Sequence, residues 1–332
     1  MAKKPPKRQF DWKTYSRPPR VLTAAQESAL LRGSLAPLLD FCRTTPGVSL
    51  EIRAHSASVY CRGVPLARIS GEGPYTAEIE SGSEGAPDRR VLEVASDVDG
   101  LMSDLKLRRE QIESAHDSAT RSKRDYLLAI AAANAGRGES LAAGDYLVVD
   151  LEYTYGRRRY DLVALKRTEG VTGPGGFSNP RLAFVDVRAA DQTLTGPNGV
   201  ESVAADFADF AKALGGSHLE IAKSEITELV AQKVRLGLLP DDVELRALDN
   251  GLPELLVVFA EYPSLSDRKH DVVIAALHDR LVARHFPTER LRFAELPSVP
   301  SPSVDNAEAA LLGAGCAMDY RRFKDHRARG RA

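Results

Sequence analysis

The sequence predicts an α/β (α+β) chain: a mixed central sheet flanked by helices, preceded by a small antiparallel sheet. Three observations predict it. From Ser118 to Ala260 the patterning runs helix, strand, strand, strand, helices, strand. The segments YLVVDLEYTY, RRRYDLVALKR and RLAFVDVRA, between Tyr146 and Ala189, are strand-like apolar runs. Ahead of them, VSLEIRAHSASVYCRGVPLARIS alternates apolar and polar residues with the period of a half-buried strand.

The elements follow in order. TAAQESALLRGSLAPLLDFCR (23–43) has helical spacing and is closed by Pro46-Gly47. The alternating segment predicts an antiparallel sheet with turns at His55–Ser58 and Arg62–Pro65. Its inward residues are Leu50, Ile52, Val59, Cys61, Leu66 and Ile69. SGSEGAPDRR (81–90) reads as a loop, so a first module spans 21–95. Ser96–Ala135 reads as two helices broken near Ser118, with Asp97 and Asp99 suiting the start and Gly136 the stop. The three strands follow, with Gly173–Pro180 a flexible excursion between the second and third. Helices are predicted over 199–214, closed by Gly215-Gly216, and over 218–236. ELLVVFA (254–260) is a buried strand by its unbroken apolar run. A helix over 266–284 and a peripheral strand over 289–296 complete a 96–296 core. Residues 297–332 read as a Pro-containing linker and a basic tail.

A chain of 332 residues, 43% hydrophobic and 27% charged, has ordinary globular composition for one large domain or two small ones. Its net charge of −1 hides an uneven distribution. Residues 1–20 carry seven Lys/Arg and one Asp, residues 320–332 carry six and one, and the body between them is strongly acidic. Such tails either contact nucleic acid phosphates or are solvated, disordered ends, the latter favoured by Pro5, Pro6, Pro18 and Pro19. Cys42, Cys61 and Cys316 are odd in number and far apart, which argues against a disulfide framework and a thiolate zinc site. No apolar run is long enough for a membrane span, and MAKKPPKRQF lacks the apolar region of a signal peptide, so the expected location is cytoplasmic.

The chemistry concentrates between Tyr146 and Arg188, where Asp150, Glu152, Asp161 and Asp186 lie within or beside apolar runs. A carboxylate near a core is costly unless something positive compensates it. Strand alternation points Asp150 and Glu152 one way, and Asp186 and Arg188 together. A hairpin of the first two strands, with the third alongside, gathers these acids into an oxygen-rich cluster suited to Mg²⁺. The alternative is strand-end acids paired with Arg157, Arg158, Arg159 and Arg188. None of the seven histidines has metal-ligand spacing, and Gly173-Pro174-Gly175-Gly176 lacks the Lys-Ser/Thr of a phosphate-binding loop.

The succession LVVDLEY, RRYDLVAL, LAFVDVR and TGPNGVESVAADFADF resembles the PD-(D/E)XK nuclease-like superfamily, and within it a group of uncharacterised bacterial proteins. The likeness extends back to VYCRGVPLARIS and to the helix RSKRDYLLAIAAAN, and covers most of 48–296. It implies a restriction-endonuclease-like αβββαβ core. Asp161 then takes the acid of the "PD" element, with Tyr160 in place of its proline; Asp186 takes the (D/E) position and Arg188 the place of the lysine. Glu152 matches an additional acid on the first strand.

The resemblance implies Mg²⁺ (or Mn²⁺) on Asp161 and Asp186, with Glu152 as an accessory ligand, and a phosphodiester as the bond cleaved. The sequence departs from the pattern at Arg188, because arginine stabilises negative charge but cannot act as a base. Lys166, a candidate substitute, falls on the opposite face from Asp161 by strand parity. Two functions are therefore expected: a metal-dependent nuclease with Asp161, Asp186, Arg188 and Glu152 in the site, or an inactive nuclease-like module. The second would bind DNA, RNA or a protein partner.

Overall fold

The computed structural model describes residues 19–80, 87–93, 95–116, 123–135, 144–155, 158–171, 174–189, 217–243, 245–260, 268–283, 285–296, 312 and 316–329. Within them the chain is mixed α/β, with two five-stranded sheets and seven α-helices. The predicted helix over 199–214 and the break at Ser118 lie outside the described residues.

The segment predicted as one helix over 23–43 is two, α1 (Ala24–Arg32) and α2 (Ala36–Thr44). Thr23 Oγ1 accepts from the Gln26 N–H at 3.3 Å and Gln26 Oε1 from the Thr23 N–H at 3.0 Å, a reciprocal cap that fixes where α1 starts. Gly33 ends α1 and Pro37 opens α2. The first sheet is an antiparallel meander of β1 (Val48–Arg53), β2 (Ser56–Cys61), β3 (Val64–Ser70), β4 (Tyr75–Ile79) and β5 (Asp88–Leu92). Arg62 and Gly63 both have positive φ, at 43° and 82°, the backbone that a two-residue turn between right-twisted strands requires. The six residues expected to point inward are all buried. The first three residues of β5, Asp88–Arg90, fall in the stretch predicted as a loop; their own strand propensity is low, and pairing with β4 makes them a strand.

α3 (Ala95–His116) packs on β3 and β5, and α4 (Lys123–Ala133) leads into the second sheet. That sheet runs in the order β10-β9-β8-β7-β6, from β6 (Tyr146–Tyr155), β7 (Arg158–Lys166), β8 (Arg181–Ala189), β9 (Glu254–Ala260) and β10 (Leu291–Leu296). β6, β7 and β8 are antiparallel neighbours, whereas β8, β9 and β10 are parallel. Between β8 and β9 comes α5 (Ser217–Arg235), and between β9 and β10 comes α6 (Arg268–Ala283). The described part of the predicted excursion, from Pro174 on, is anchored, since Pro174–Phe177 forms a 3₁₀ turn and Phe177 is buried with Arg167 4.6 Å over its ring.

Each face of the second sheet has its own cover. Tyr126, Leu127 and Ile130 of α4 pack on Leu162, Val185 and Val187 on one face. On the other, Val163 and Phe184 share a core with Ile226 and Leu229 of α5 and with Ile52 and Val59 of the first sheet. Further along that face, Val257 and Phe259 pack with Ile274 and Leu277 of α6. β9 is buried along its whole length, as its unbroken apolar sequence demands. The basic tail does not stay a tail: Tyr320–Arg329 forms a helix, α7, lying against β10.

Candidate functional site

The β7–β8 ladder runs from Lys166↔Arg181 to Leu162↔Val185 and stops there. One step further the register sets Asp161 opposite Asp186. The ladder is not continued by backbone pairing; instead the Val187 N–H donates to Asp161 Oδ2 at 2.7 Å. A side chain thus takes over a ladder bond at the point where the strands part, and both carboxylates are held at that opening.

Each acid has a cation. Arg188 Nε donates to Asp186 Oδ2 from two residues along β8, and Lys123 Nζ in the first turn of α4 stands 2.8 Å from Asp161 Oδ2. The pairing does not fully compensate burial. Asp186 is raised from its ordinary value to about 6, first by burial and then by the neighbouring Asp161 carboxylate, while Arg188 and Lys123 pull it down. The fold therefore brings Asp161, Asp186 and Arg188 together, and adds Lys123.

Glu152 is not drawn in. The pairs Leu151↔Leu162 and Tyr153↔Tyr160 bracket it opposite Asp161, so its backbone is in the right row. Yet Glu152 has φ of 52°, and its carboxylate accepts from Arg159. It lines a cleft with Arg53, Tyr60 and Leu127, between the first sheet, α4 and β6.

Asp150 is a structural acid. The positive φ of Glu152, 52°, breaks the pleat that predicted a common direction for Asp150 and Glu152. Asp150 is 0% exposed and meets two guanidinium groups, with Arg20 Nη2 at 2.8 Å and Arg53 Nη1 at 3.2 Å from Oδ1. Arg20 Nε is 2.7 Å from Oδ2, an ion pair without hydrogen-bond alignment. Arg20 is the last residue assigned to the basic tail, and the fold instead uses it as a buried counter-ion. Lys166 lies at the far end of β7, 3.1 Å from Glu254.

Lys123 was beyond the reach of the strand argument, because it sits on a helix and strand parity says nothing about helical side chains. RSKRDYLL offers three cations in four residues, and only packing selects which one meets the acids.

Two facing carboxylates, one of them strained by burial, fit a divalent ion that takes one or two protein carboxylates and fills its shell with water. They do not fit a closed protein cage, since among the described residues no three His, Cys, Asp or Glu side chains stand together as a ligand set. No helix among them is long and apolar enough to cross a membrane. Comparison of the chain with known protein families, with curated proteins and with solved structures finds no match.

Proposed function

We propose that the chain is a PD-(D/E)XK-like protein that hydrolyses phosphodiester bonds of nucleic acid, with Mg²⁺ or Mn²⁺ held by Asp161 and Asp186. The observation that carries this reading is the placement of two carboxylates, a guanidinium and an amine around the parting of two strands. The order α4-β6-β7-β8-α5-β9, with three antiparallel strands and a fourth parallel to the third, agrees with an αβββαβ core. Asp161 and Asp186 would hold a divalent ion there, which would supply a water of lowered pKa and neutralise charge on a phosphate.

The side chains divide the remaining work. The Val187 N–H and Lys123 fix the orientation of Asp161. Arg188 supplies a permanent positive charge beside Asp186 and can donate to a phosphate oxygen, but takes no proton. Lys123, a point charge on a flexible stem, is the amine of the site where the resemblance leads one to expect a lysine at position 188. Glu152 is left out of the ligand set.

A second reading, an inactive nuclease-like module binding nucleic acid or a protein partner, is favoured by one observation: both acids are already in ion pairs. Incubation of purified protein with labelled single- and double-stranded DNA and RNA, in Mg²⁺ or Mn²⁺, separates the two. Hydrolysis predicts cleavage abolished in the Asp161→Ala, Asp186→Ala double variant. Nicking that persists in that variant overturns the assignment, and binding without cleavage by the parent chain supports the module.

A further inference from the structure

The C-terminal helix α7 reads YRRFKDHRAR, too polar to pack by apolar burial alone. Only Phe323 and Arg327 are buried. Phe323 stacks on Phe293 and Phe259, with ring centroids 5.5 and 5.9 Å apart. Arg327 donates to Asp271 of α6 at 2.7 Å and to Glu295 of β10 at 2.8 Å. This anchor turns Arg321, Arg322, Lys324, His326 and Arg329 to solvent, against one acid of the same helix, Asp325. Like charges three and four apart on a helix repel, so the face costs stability that the anchor must offset.

The register says where that face lies. Arg188 pairs with Phe259, and Phe259 pairs with Glu295. Paired residues of neighbouring strands point to the same side of a sheet. Arg188, Phe259 and Glu295 therefore form one row on one face, and both anchors of α7 sit on that row. The helix stands beside the acid pair, about two strand spacings (~10 Å) across the same face. The exposed cations of α7 stand out from a helix anchored at that distance, and they are complementary to a phosphate chain.

We propose that the exposed face of α7 contacts the phosphate backbone of a nucleic acid strand laid across the acid pair. The direction of the strand rests on the hydrolase reading; the contact itself is tested without it. The full chain is titrated against a labelled 30-nucleotide DNA, single- and double-stranded, in EDTA, by fluorescence anisotropy at about 50 to 300 mM KCl, in the salt range where phosphate contacts weaken. The variant Arg321→Gln/Arg322→Gln/Lys324→Gln keeps helix propensity and both anchors. The control Arg32→Gln/Arg89→Gln/Lys106→Gln removes equal charge from exposed positions of the N-terminal part of the chain.

The expected result is at least a tenfold drop in affinity for the α7 variant, with a salt slope shallower by about two to three, at ~0.7–0.9 for each phosphate no longer neutralised. The control should weaken by less than about twofold, as distant exposed charges are screened. Equal effects in the two variants, no binding by the parent chain at the lowest salt, or competition by poly-glutamate as strong as by DNA would each overturn the proposal. Cleavage in Mg²⁺ with α7-independent binding would sink this inference and leave the hydrolase reading standing. Binding dependent on α7 with no cleavage would do the reverse.

Discussion

Asp161 and Asp186 face each other one step past the last pair of the β7–β8 ladder, each held by a cation that arrives by a different route. Arg188 comes along the same strand, whereas Lys123 comes from the helix over the opposite face. The site is nearly neutral in sum and still leaves Asp186 poorly solvated, with its carboxyl at about 6.

That position makes a pH signature. A folded-state value above the ordinary 3.8 means the folded chain binds the proton more tightly than the unfolded one. The stability contributed by protonated Asp186 is then full below about pH 4 and is lost as pH rises through about 6. At 1.36 kcal/mol per unit, the change is about 2–3 kcal/mol. Urea denaturation of the parent chain and of Asp186→Asn across pH 4 to 8 isolates it: the difference between them should shift by about that amount in favour of the variant as pH rises. Parallel pH profiles would refute the shift.

Lys123→Met should tighten Mn²⁺ binding at pH 8 while lowering any cleavage. The amine occupies Asp161 Oδ2 at 2.8 Å and competes with a second cation. Because Lys123 is partly exposed, its Coulomb contribution is discounted by solvent, leaving a gain of about three- to tenfold by calorimetry. Weaker Mn²⁺ binding in the variant would mean that the lysine serves the fold and not the acids.

Much of this architecture was readable from the residues alone, because apolar runs with strand or helix period are set apart by turn residues such as Arg62-Gly63. β9 was legible residue for residue from ELLVVFA. The acid pair was legible too, since Asp161 and Asp186 lie inside neighbouring strands, where register alone sets them opposite each other. Glu152 was not: alternation assumes an unbroken pleat, and the positive φ at Glu152 breaks it. Arg20, Lys123 and α7 were illegible for another reason. Each is placed by contacts over more than thirty residues of separation, with Asp150, Asp161, and Glu295 and Asp271, and no local pattern encodes those.

Arg20→Ala should destabilise the fold by about 3 kcal/mol. Asp150 is fully buried, and breaking one side of a buried pair leaves charge without compensation. Arg53 and the Leu151 N–H still serve Oδ1, which keeps the effect at the lower end of the range of about 3–5 kcal/mol. The Arg20→Ala, Asp150→Ala double variant should lose less than the sum of the singles, a coupling that urea denaturation of the four proteins measures directly.

Glu152 gives the sharpest contrast with the acids beside it. Its carboxylate pairs with the exposed Arg159, and exposed pairs contribute about 0–1 kcal/mol. Glu152→Gln should therefore leave Mn²⁺ affinity within about twofold and stability within about 1 kcal/mol, as for other exposed pairs. Asp161→Asn and Asp186→Asn should each weaken Mn²⁺ by about tenfold or more, since each removes one of two charges facing the ion. Glu152→Gly goes further. A non-glycine residue at φ of 52° carries strain of about 1 kcal/mol that glycine relieves, against a similar entropic cost in the unfolded chain. The two nearly cancel, so Glu152→Gly should unfold within about 0.5 kcal/mol of the parent, where Gly at an ordinary strand position costs about 0.5–1 kcal/mol. Destabilisation above about 2 kcal/mol would refute the strain argument, and weakened Mn²⁺ binding in either Glu152 variant would place Glu152 among the working acids after all.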